Sequence, residues 1–327
     1  MSNRNKIYTS LFFVGHFAVD NIIKFKRLSK PALGGSVSYC SLALRAYTQS
    51  AKINIISHVG KLNFDKSFFN IIKNKNINLK GIKYSDVRNT NFVLDYFNHG
   101  RTLTLKSKSP ILEFKDIPQE YLDNPPDVIV LVPLCNEISY EYVLQISNYF
   151  PNLYIGIDLQ GFIRNIDENG VVSYIYDEKI IRNLGKIIEL IGDKLILKGS
   201  EEEMKLLANE DKDFYNIMNF FEKFDSNGIF IMTMGEKGSL VYRKGNKILE
   251  IPAFKPKKVV DETGAGDVYF SIFLYEFLQI DKSWGNIEEI SYLASAAASF
   301  LVERKGPTGF GVKKKVLKRV KKKHYIK

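Results

Sequence analysis

The sequence contains only two cysteines, Cys40 and Cys135, among its 327 residues. Two cysteines exclude a disulfide framework and a cysteine-based metal cluster, and they fit a reducing compartment. A long hydrophobic run is also missing near the start, where the apolar stretch of residues 11–14 is too short for a signal-peptide core or a membrane span. We see no internal repeat and no low-complexity linker. We therefore expect a soluble, cytoplasmic protein with no membrane partner.

Apolar side chains, in contrast, are abundant, since hydrophobic residues make up 45% of the chain. A disordered chain would contain far fewer. A prior of about 150 residues per domain would suggest two domains, but α/β folds of this length often form one. The composition thus predicts a substantial core.

The net charge of +11 resembles that of a nucleic-acid-binding protein until it is located. Residues 313–327 carry nine Lys or Arg and no acid; without them, 38 basic residues face 36 acidic ones, which leaves +2. Such a tail could contact RNA or an anionic surface, but single charge runs are usually solvated faces. We favour a basic C-terminal helix over residues 312–327, packed through Val312, Val316, Leu317 and Val320, and we consider a nucleic-acid partner unlikely.

Short apolar runs alternate with stretches of helical period over most of the chain. This alternation predicts an α/β fold, a doubly wound and mainly parallel sheet flanked by helices. Such sheets bind ligands at the carboxyl ends of their strands. The predicted strands are 10–14, 53–59, 128–132, 153–157, 194–198 and 229–233, and the predicted helices include 36–47, 64–75, 140–150, 201–208 and 213–224.

Two segments interrupt the alternation. Residues 90–96 and 101–106, separated by a turn at 98–100, indicate a β-hairpin, and residues 21–30 form an earlier extended piece. We expect them to pair into a small β lid, from about 21–33 and 88–107, which excludes water from a ligand cleft. This lid is also a candidate surface for a homodimer.

The most informative segment reads Asp-Glu-Thr-Gly-Ala-Gly-Asp at residues 261–267 and runs into an apolar helix. Unpaired N–H groups at a helix start make an anion site, and glycines let the backbone approach that anion closely. Asp267 then lies on the first turn, where it can take a proton from a hydroxyl. An anion site beside a base is what phosphoryl transfer to an alcohol requires.

Weaker motifs occur elsewhere. Asp20, after the first strand, is either a ligand for paired hydroxyls or an ordinary loop aspartate, and His16 nearby is more consistent with a structural role. Gly34 and Gly35 either let a polar ligand approach or simply form a helix entry with Ser36 as its N-cap.

Two further motifs follow strands. Ser200 and Glu203 have the spacing of a capping box, although Glu203 could also hold magnesium through water. Residues 233–238 form either a tight turn between strands or a loop beside a nucleotide.

Together these residues resemble the ribokinase-like PfkB family of carbohydrate kinases, in the family's order along nearly the whole chain. The motif at 261–267 is similar to the family's carboxy-terminal signature and carries most of the resemblance. The resemblance implies one ribokinase-like domain over 1–327 that uses ATP and Mg²⁺ to phosphorylate a hydroxyl of a sugar, polyol or nucleoside. One departure is Ser200, which occupies a position where many members carry Asn.

The resemblance also implies a role for each matching position. Asp267 would be the catalytic base, and Gly264, Ala265 and Gly266 the anion hole. The substrate would lie on Asp20, Gly34, Gly35, Arg101, Asp158 and Gln160. ATP would lie on Ser200, Thr233, Gly235, Gly238, Thr263 and Ala297, with Glu203 at the metal.

The acceptor stays open at this point. The segment from Asp158 to Arg164 is similar to one in the myo-inositol kinase branch, which slightly favours an inositol-like polyol. Two alternatives are a nucleoside kinase on the same fold and a non-catalytic binding protein that uses the basic tail.

Overall fold

The computed structural model describes residues 8–24, 27–73, 75–97, 100–211 and 213–326. Short apolar runs form strands and the longer amphipathic stretches form helices, in alternation along most of the chain. The strands are β1 (Thr9–Val14), β2 (Ala18–Lys24), β3 (Arg27–Leu28), β4 (Ala32–Gly34), β5 (Ala51–Gly60), β6 (Ile77–Ser85), β7 (Asn91–Phe97), β8 (Gly100–Ser107), β9 (Val128–Leu131), β10 (Tyr154–Asp158), β11 (Asn165–Ile166), β12 (Val172–Ser173), β13 (Leu195–Ser200), β14 (Ile229–Thr233), β15 (Ser239–Tyr242) and β16 (Leu249–Ile251). The helices are α1 (Ser36–Tyr47), α2 (Asn70–Lys73), α3 (Gln119–Asp123), α4 (Tyr140–Tyr149), α5 (Gln160–Ile163), α6 (Glu178–Ile191), α7 (Glu201–Ala208), α8 (Phe214–Asn219), α9 (Ala265–Phe277), α10 (Trp284–Leu301) and α11 (Lys313–Lys322).

Within the described residues, the main sheet has nine strands in the order β16-β15-β14-β13-β10-β9-β1-β5-β6. All pairs from β14 to β6 are parallel, and β15 and β16 extend the sheet antiparallel at one edge. The chain first builds outward from β1 through β5 and β6, and then crosses to β9 and builds the other way. The predicted doubly wound sheet is confirmed, and its strand order reverses next to β1, where such sheets open a crevice.

Apolar clusters cover both faces of the main sheet. One face packs against α1, α9 and α10, and the other against α4, α6, α7 and α8. Strands such as β9, whose four residues are all buried, are apolar on both faces for this reason. The burial holds α9 across the sheet, and this fixes the position of its N-terminus.

A second, smaller sheet projects from the carboxyl edge of the main one. It contains β3, β2, β7 and β8 in that order, with β4 also paired to β2. Strand β2 runs parallel to β7, and β7 forms the hairpin with β8. The predicted lid segments therefore pair as expected, and an apolar cluster around Phe92, Leu94 and Leu134 lies beneath them. Residues 98 and 99 of the predicted hairpin turn lie outside the described residues.

Two predicted helices are shorter than expected. The stretch 64–75 forms a 3₁₀ turn at Lys66–Phe69 and then the single α turn α2, which ends at Lys73. The stretch 213–224 likewise divides into α8 and a 3₁₀ turn at Phe220–Lys223. Helical periodicity alone does not separate these tighter turns from α-helix.

The basic C-terminal helix is present as α11, within the predicted 312–327. Val316 is fully buried and Val320 packs on the core, but Val312 and Leu317 are 43% and 39% exposed. The prediction that these last two face the body was wrong, because Val312 precedes the helix and Leu317 is rotated about 100° from Val316. No helix in the described part of the chain is both long and apolar enough to cross a bilayer.

Candidate active site

A cavity of about 820 Å³ lies between the lid, the carboxyl edge of the main sheet and the start of α9. Its lining includes eleven of the residues that the sequence indicated: Asp20, Gly35, Gln160, Ser200, Glu203, Thr233, Thr263, Gly264, Ala265, Gly266 and Asp267. The motifs that are far apart in sequence thus converge where the crevice of a doubly wound sheet is expected. Arg101 lies on β8, and its side chain lies outside the described part of the structure.

Helix α9 begins against a tyrosine ring, and this contact requires glycine. Gly264 caps the helix with φ 82°, in the left-handed region that favours glycine. A Cβ at Gly264 would lie 2.1 Å from Cδ1 of Tyr39, far inside contact distance. The ring of Tyr39 therefore fixes how the 261–267 segment turns into the helix.

The turn presents free backbone donors to the cavity. Among the described residues, the N–H groups of Gly264 and Gly266 have no backbone acceptor, whereas the Ala265 N–H donates to the Glu262 carbonyl at 3.2 Å. Asp261 holds the turn from below, since its carboxylate accepts the N–H groups of Thr263 and Gly306, each at 3.1 Å. Asp261 therefore has a structural role, and the donors above it match an anion hole.

Lys198 reaches the same turn from the end of β13. A Cβ on Gly266 would lie 3.0 Å from Lys198 Nζ, so the ammonium group packs closely against this glycine. Burial by itself lowers the pKa of Lys198, but the carboxylates of Asp158, Glu203 and Asp267 outweigh it and raise the pKa above the usual range. Lys198 is thus a permanent positive charge beside the anion hole.

Asp158 is the ion-pair partner of Lys198, with Oδ2 and Nζ 2.8 Å apart. Its side chain is 1% exposed and does not line the cavity. The structure therefore places Asp158, expected at the substrate, behind the lysine. Asp158 therefore contacts the cavity through Lys198, while its charge also acts on Asp267.

Asp267 lies on the first turn of α9, on the wall of the cavity. Burial, followed by the negative charge of Asp158, raises the pKa of Asp267 to about 7, while Lys198 and a hydrogen bond from Ser36 act in the opposite direction. A carboxylate whose pKa lies near neutrality is well suited to accept a proton at physiological pH.

Asp20 faces the cavity from β2, a strand of the lid sheet. Burial raises its pKa to about 7, and the nearby Arg164 lowers it by a smaller amount. Strand β4 crosses beside it so closely that a Cβ on Gly34 would lie 1.9 Å from Asp20 Oδ2. Gly34 therefore makes room for this carboxylate, and Gly35, next to it, lines the cavity.

Ser36 is the first residue of α1, and Gly35 is its cap. The expectation that Ser36 caps the helix was wrong, because no side chain caps it and Ser36 Oγ instead donates to Gln160 Oε1 at 3.3 Å. Ser36 thus lies between Gln160 and Asp267, with one hydroxyl proton to give to either. The serine belongs to the cavity wall.

Ser200 and Glu203 form the predicted capping box of α7. Glu203 Oε2 accepts the Ser200 N–H at 2.8 Å, and Oε1 accepts the Tyr174 hydroxyl at 3.0 Å. Glu203 is 3% exposed but still borders the cavity. Its carboxylate is held rigidly on the sheet side of the site.

The expected nucleotide positions are only partly brought to the cavity. Thr233 ends β14 and lines the cavity with Thr263, while Gly235 and Gly238 shape the 3₁₀ turn that leads into β15. Ala297, on α10, is 2% exposed. Gly235, Gly238 and Ala297 do not line the cavity and stay predictions.

Several cavity residues were not foreseen. Lys198 and Arg164 are two buried cations at the cavity, and the Tyr174 hydroxyl donates a hydrogen bond to Glu203. The lid contributes an apolar wall of Phe92, Leu94, Tyr96 and Leu103, with Leu134 beside it. One signal was available for Lys198: a lysine among apolar residues at the end of a predicted buried strand needs a partner.

A second group of ligand-type side chains lies outside the cavity, where His16, Cys135 and Glu137 approach each other. Both ring nitrogens of His16 are in use, to the Pro110 carbonyl at 2.9 Å and to Thr90 Oγ1 at 2.8 Å. Glu137 accepts the backbone N–H groups of residues 16, 134 and 135. The cluster has no free ligand atom on His16, which confirms the structural role expected for it.

A carboxylate of raised pKa, free backbone N–H donors and a lysine lie together at the edge of a doubly wound sheet, beneath a small β lid. This arrangement has the groups that phosphoryl transfer to a small molecule requires. The chain belongs to the pfkB family of carbohydrate kinases, whose family model matches residues 42–314.

Individual relatives differ in the acceptor that they use. A nucleoside kinase of Methanocaldococcus jannaschii is 39% identical over 109 residues, which is 33% of each chain, so this match spans a third of that protein. A fructokinase of Vibrio cholerae O395, bound to fructose, ADP and calcium, matches with a TM-score of 0.76 at 18% identity. The match covers 97% of this chain and 100% of the fructokinase chain. A pyrophosphate-dependent kinase of the ribokinase family, in complex with a pyrophosphate analogue and myo-inositol, has a TM-score of 0.74 at 19% identity, with coverages of 94% and 99%. The two structures show that the chain has the ribokinase-like fold.

Proposed function

We propose that the protein is an ATP- and Mg²⁺-dependent nucleoside kinase that phosphorylates a hydroxyl of the sugar. The observation that carries this proposal is the division of the cavity into two unlike walls. On the lid side, Phe92, Leu94, Leu103 and Leu134 offer a continuous apolar surface. A nucleoside has a flat base and a polyhydroxylated sugar, and it matches such a pair of walls better than a molecule with hydroxyls all around it.

The polar wall supplies the groups that a sugar needs. Asp20 would accept hydrogen bonds from neighbouring hydroxyls, with the backbone of Gly34 and Gly35 beside it, while Gln160 would donate or accept at the same ring. Asp267 would accept the proton of the attacking hydroxyl. With its raised pKa, it has enough basicity to hold that proton through the transfer.

Charge that develops on the transferred phosphoryl group would meet fixed positive groups. The N–H groups of Gly264 and Gly266 and the ammonium of Lys198 lie on one side of the cavity, within reach of the same atoms. Donors that are already oriented in a water-poor site stabilise such charge without reorganisation. Most of the rate would then come from positioning and electrostatics, as is usual for phosphoryl transfer.

ATP is the proposed donor, with its phosphates at the anion hole and its remainder toward Thr233, Gly235, Gly238, Thr263 and Ala297. A bound Mg²⁺ would neutralise phosphate charge, and Glu203 with Ser200 is the donor set that fits it. Glu203 borders the cavity and its oxygens keep lone pairs beyond the two hydrogen bonds, so it can hold the ion through water.

A cyclic polyol is the second candidate acceptor, favoured by one specific observation. The segment that follows β10 places Gln160 and Arg164 on the cavity wall, where they add polar contacts beyond those a ribose requires. Arg164 is 6% exposed and donates to the Leu134 carbonyl at 2.9 Å, so its position is fixed.

A phosphorylation screen tests the assignment. Purified protein is offered nucleosides, inositols and hexoses at equal concentration, with MgATP or with magnesium pyrophosphate as the donor, and each phosphorylated product is followed by mass. We expect the highest kcat/KM with a nucleoside. Highest turnover with an inositol would show that the acceptor is a cyclic polyol. Turnover only with pyrophosphate would show that ATP is not the phosphoryl donor.

A further inference from the structure

A second cavity, of about 220 Å³, lies at the opposite end of the main sheet. It is bordered by the amino ends of β10, β13 and β14, by the end of β15 and by the C-terminus of α9. Lys194 precedes β13 and Lys198 lies within it, so the two cavities are separated by about 13 Å of strand. Nothing in the phosphoryl-transfer site uses this end of the sheet.

Three cations line this small space: Lys194, Arg243 and Lys282. None of them forms an ion pair with a carboxylate in the described part of the chain. Asp193 also borders the cavity, but its Oδ1 accepts the N–H of Asn227 at 2.7 Å. Like charges that share a partly buried space repel each other unless an anion joins them.

The contacts of these cations leave donors unused. Lys194 Nζ lies 4.6 Å from the ring centre of Tyr154, and Lys282 Nζ gives one hydrogen bond, to the Ile280 carbonyl at 2.8 Å. Arg243 NH1 donates to the Lys282 carbonyl at 3.1 Å, but its Nε is buried and has no acceptor. A buried N–H donor without a partner is costly, and a bound acceptor would remove that cost.

The backbone at this place is also held in an unusual conformation. Lys282 has φ 68°, in the left-handed region, although it is not a glycine. Its carbonyl is the group that Arg243 holds. The hydrogen bond from Arg243 helps to hold Lys282 in this conformation, at the edge of the small cavity.

We propose that this cavity binds a small oxyanion of the phosphate class between Lys194, Arg243 and Lys282. The volume admits inorganic phosphate or a similar group, and it is too small for a nucleotide. The three cations supply ammonium and guanidinium donors, which form the strongest hydrogen bonds to such an anion. Tyr154 and Phe277 close the apolar sides of the space.

Protection from lysine acylation tests this site with inorganic phosphate as the probe. Burial lowers the pKa of Lys282 and the charge of Lys194 acts in the same direction, while Asp281 acts against them, so this amine is more reactive than that of an ordinary lysine. The intact protein is labelled in phosphate or in sodium chloride at equal ionic strength, and each lysine is quantified by mass spectrometry. At ten times the dissociation constant, labelling of Lys282 should fall about tenfold, because roughly one site in ten is then empty.

Variants of Lys194 give the matched comparison. Lys194→Gln should weaken phosphate binding about tenfold and Lys194→Arg should restore it, both with normal kinase activity. Lys186, exposed on α6, is the internal control and should be labelled equally in both salts. Equal labelling of Lys282 in the two salts, or full protection in Lys194→Gln, would overturn the proposal. Because labelling is read without turnover, its outcome is independent of the proposed kinase reaction.

Discussion

The two walls of the main cavity are built in different ways. The phosphoryl-transfer corner comes from one short segment, 261–267, together with Lys198 from the adjacent strand end. The acceptor side combines residues from β2, β7, β8 and the segment after β10. The chemistry of the protein therefore has a local signature in the sequence, while its choice of acceptor depends on side chains that only the fold brings together.

Loss of the base should produce the largest effect in the corner. Asp267→Asn keeps the size of the side chain but cannot take the proton, so kcat should fall about a hundredfold or more. Glu262→Gln, in the same motif and exposed, is the matched control and should retain kcat. Near-normal turnover of Asp267→Asn would remove the residue from the mechanism.

Lys198 should matter almost as much. Lys198→Met removes the positive charge beside Gly266, and we expect kcat to fall about 100-fold, the lower end of the scale of losing one preorganised donor. The substitution also leaves Asp158 buried without a partner, which destabilises the fold. The double variant Asp158→Asn/Lys198→Met removes both charges, and its kcat separates the two effects.

If the double variant is folded and fully active, Lys198 serves only to balance Asp158. Lys194→Gln, at the other end of the same strand, is the control that should keep kcat. A thermal melt of each variant shows whether lost activity follows lost structure.

On the acceptor side, the expected effects are in KM. Phe92→Ala removes the ring from the apolar wall, and KM for the preferred nucleoside should rise about tenfold with kcat and KM for ATP little changed. Phe97→Ala is the control, because Phe97 lies on the same strand with 54% exposure and does not line the cavity. Equal effects of the two substitutions would argue against a nucleobase bound beneath the lid.

The smallest effect is on stability. A carboxyl whose pKa is raised on folding holds its proton more tightly in the native state, so stability falls as pH rises from the unfolded value near 4 through the folded value of about 7. Asp20→Asn cannot ionise and should lose less stability between pH 5 and 8. We expect a difference of roughly 2–4 °C in Tm between the two proteins at pH 8. If Tm falls with pH equally in the wild type and in Asp20→Asn, folding does not raise the pKa of Asp20.

Much of the fold was predictable, because the buried strands are short apolar runs and the helices between them are amphipathic. The strands at 10–14 and 229–233, for example, correspond to β1 and β14 within one residue. The tight turns after residues 64 and 219 were not predictable, since 3₁₀ and α turns share nearly the same apolar pattern.

The corner of the site was predictable for a similar reason. In 261–267, the glycines, the base and the helix start are neighbours in sequence, so their chemistry is visible before folding. Asp158 and Lys198 are 40 residues apart and pair through adjacent strands. A sequence pattern shows each of them as an isolated charge, so it could not reveal that Asp158, placed at the substrate by the family resemblance, pairs with Lys198 instead.

Asp20 lies on a strand that belongs to the lid itself, paired with β7 on one side and β4 on the other. Any rotation of the small sheet carries this carboxylate with it, so, if the proposed acceptor binds Asp20, binding and covering of the acceptor are coupled in one movement. Binding of an acceptor at Asp20 would then favour the closed position of the small sheet. We expect futile donor hydrolysis to be slow whenever no acceptor tethers the small sheet.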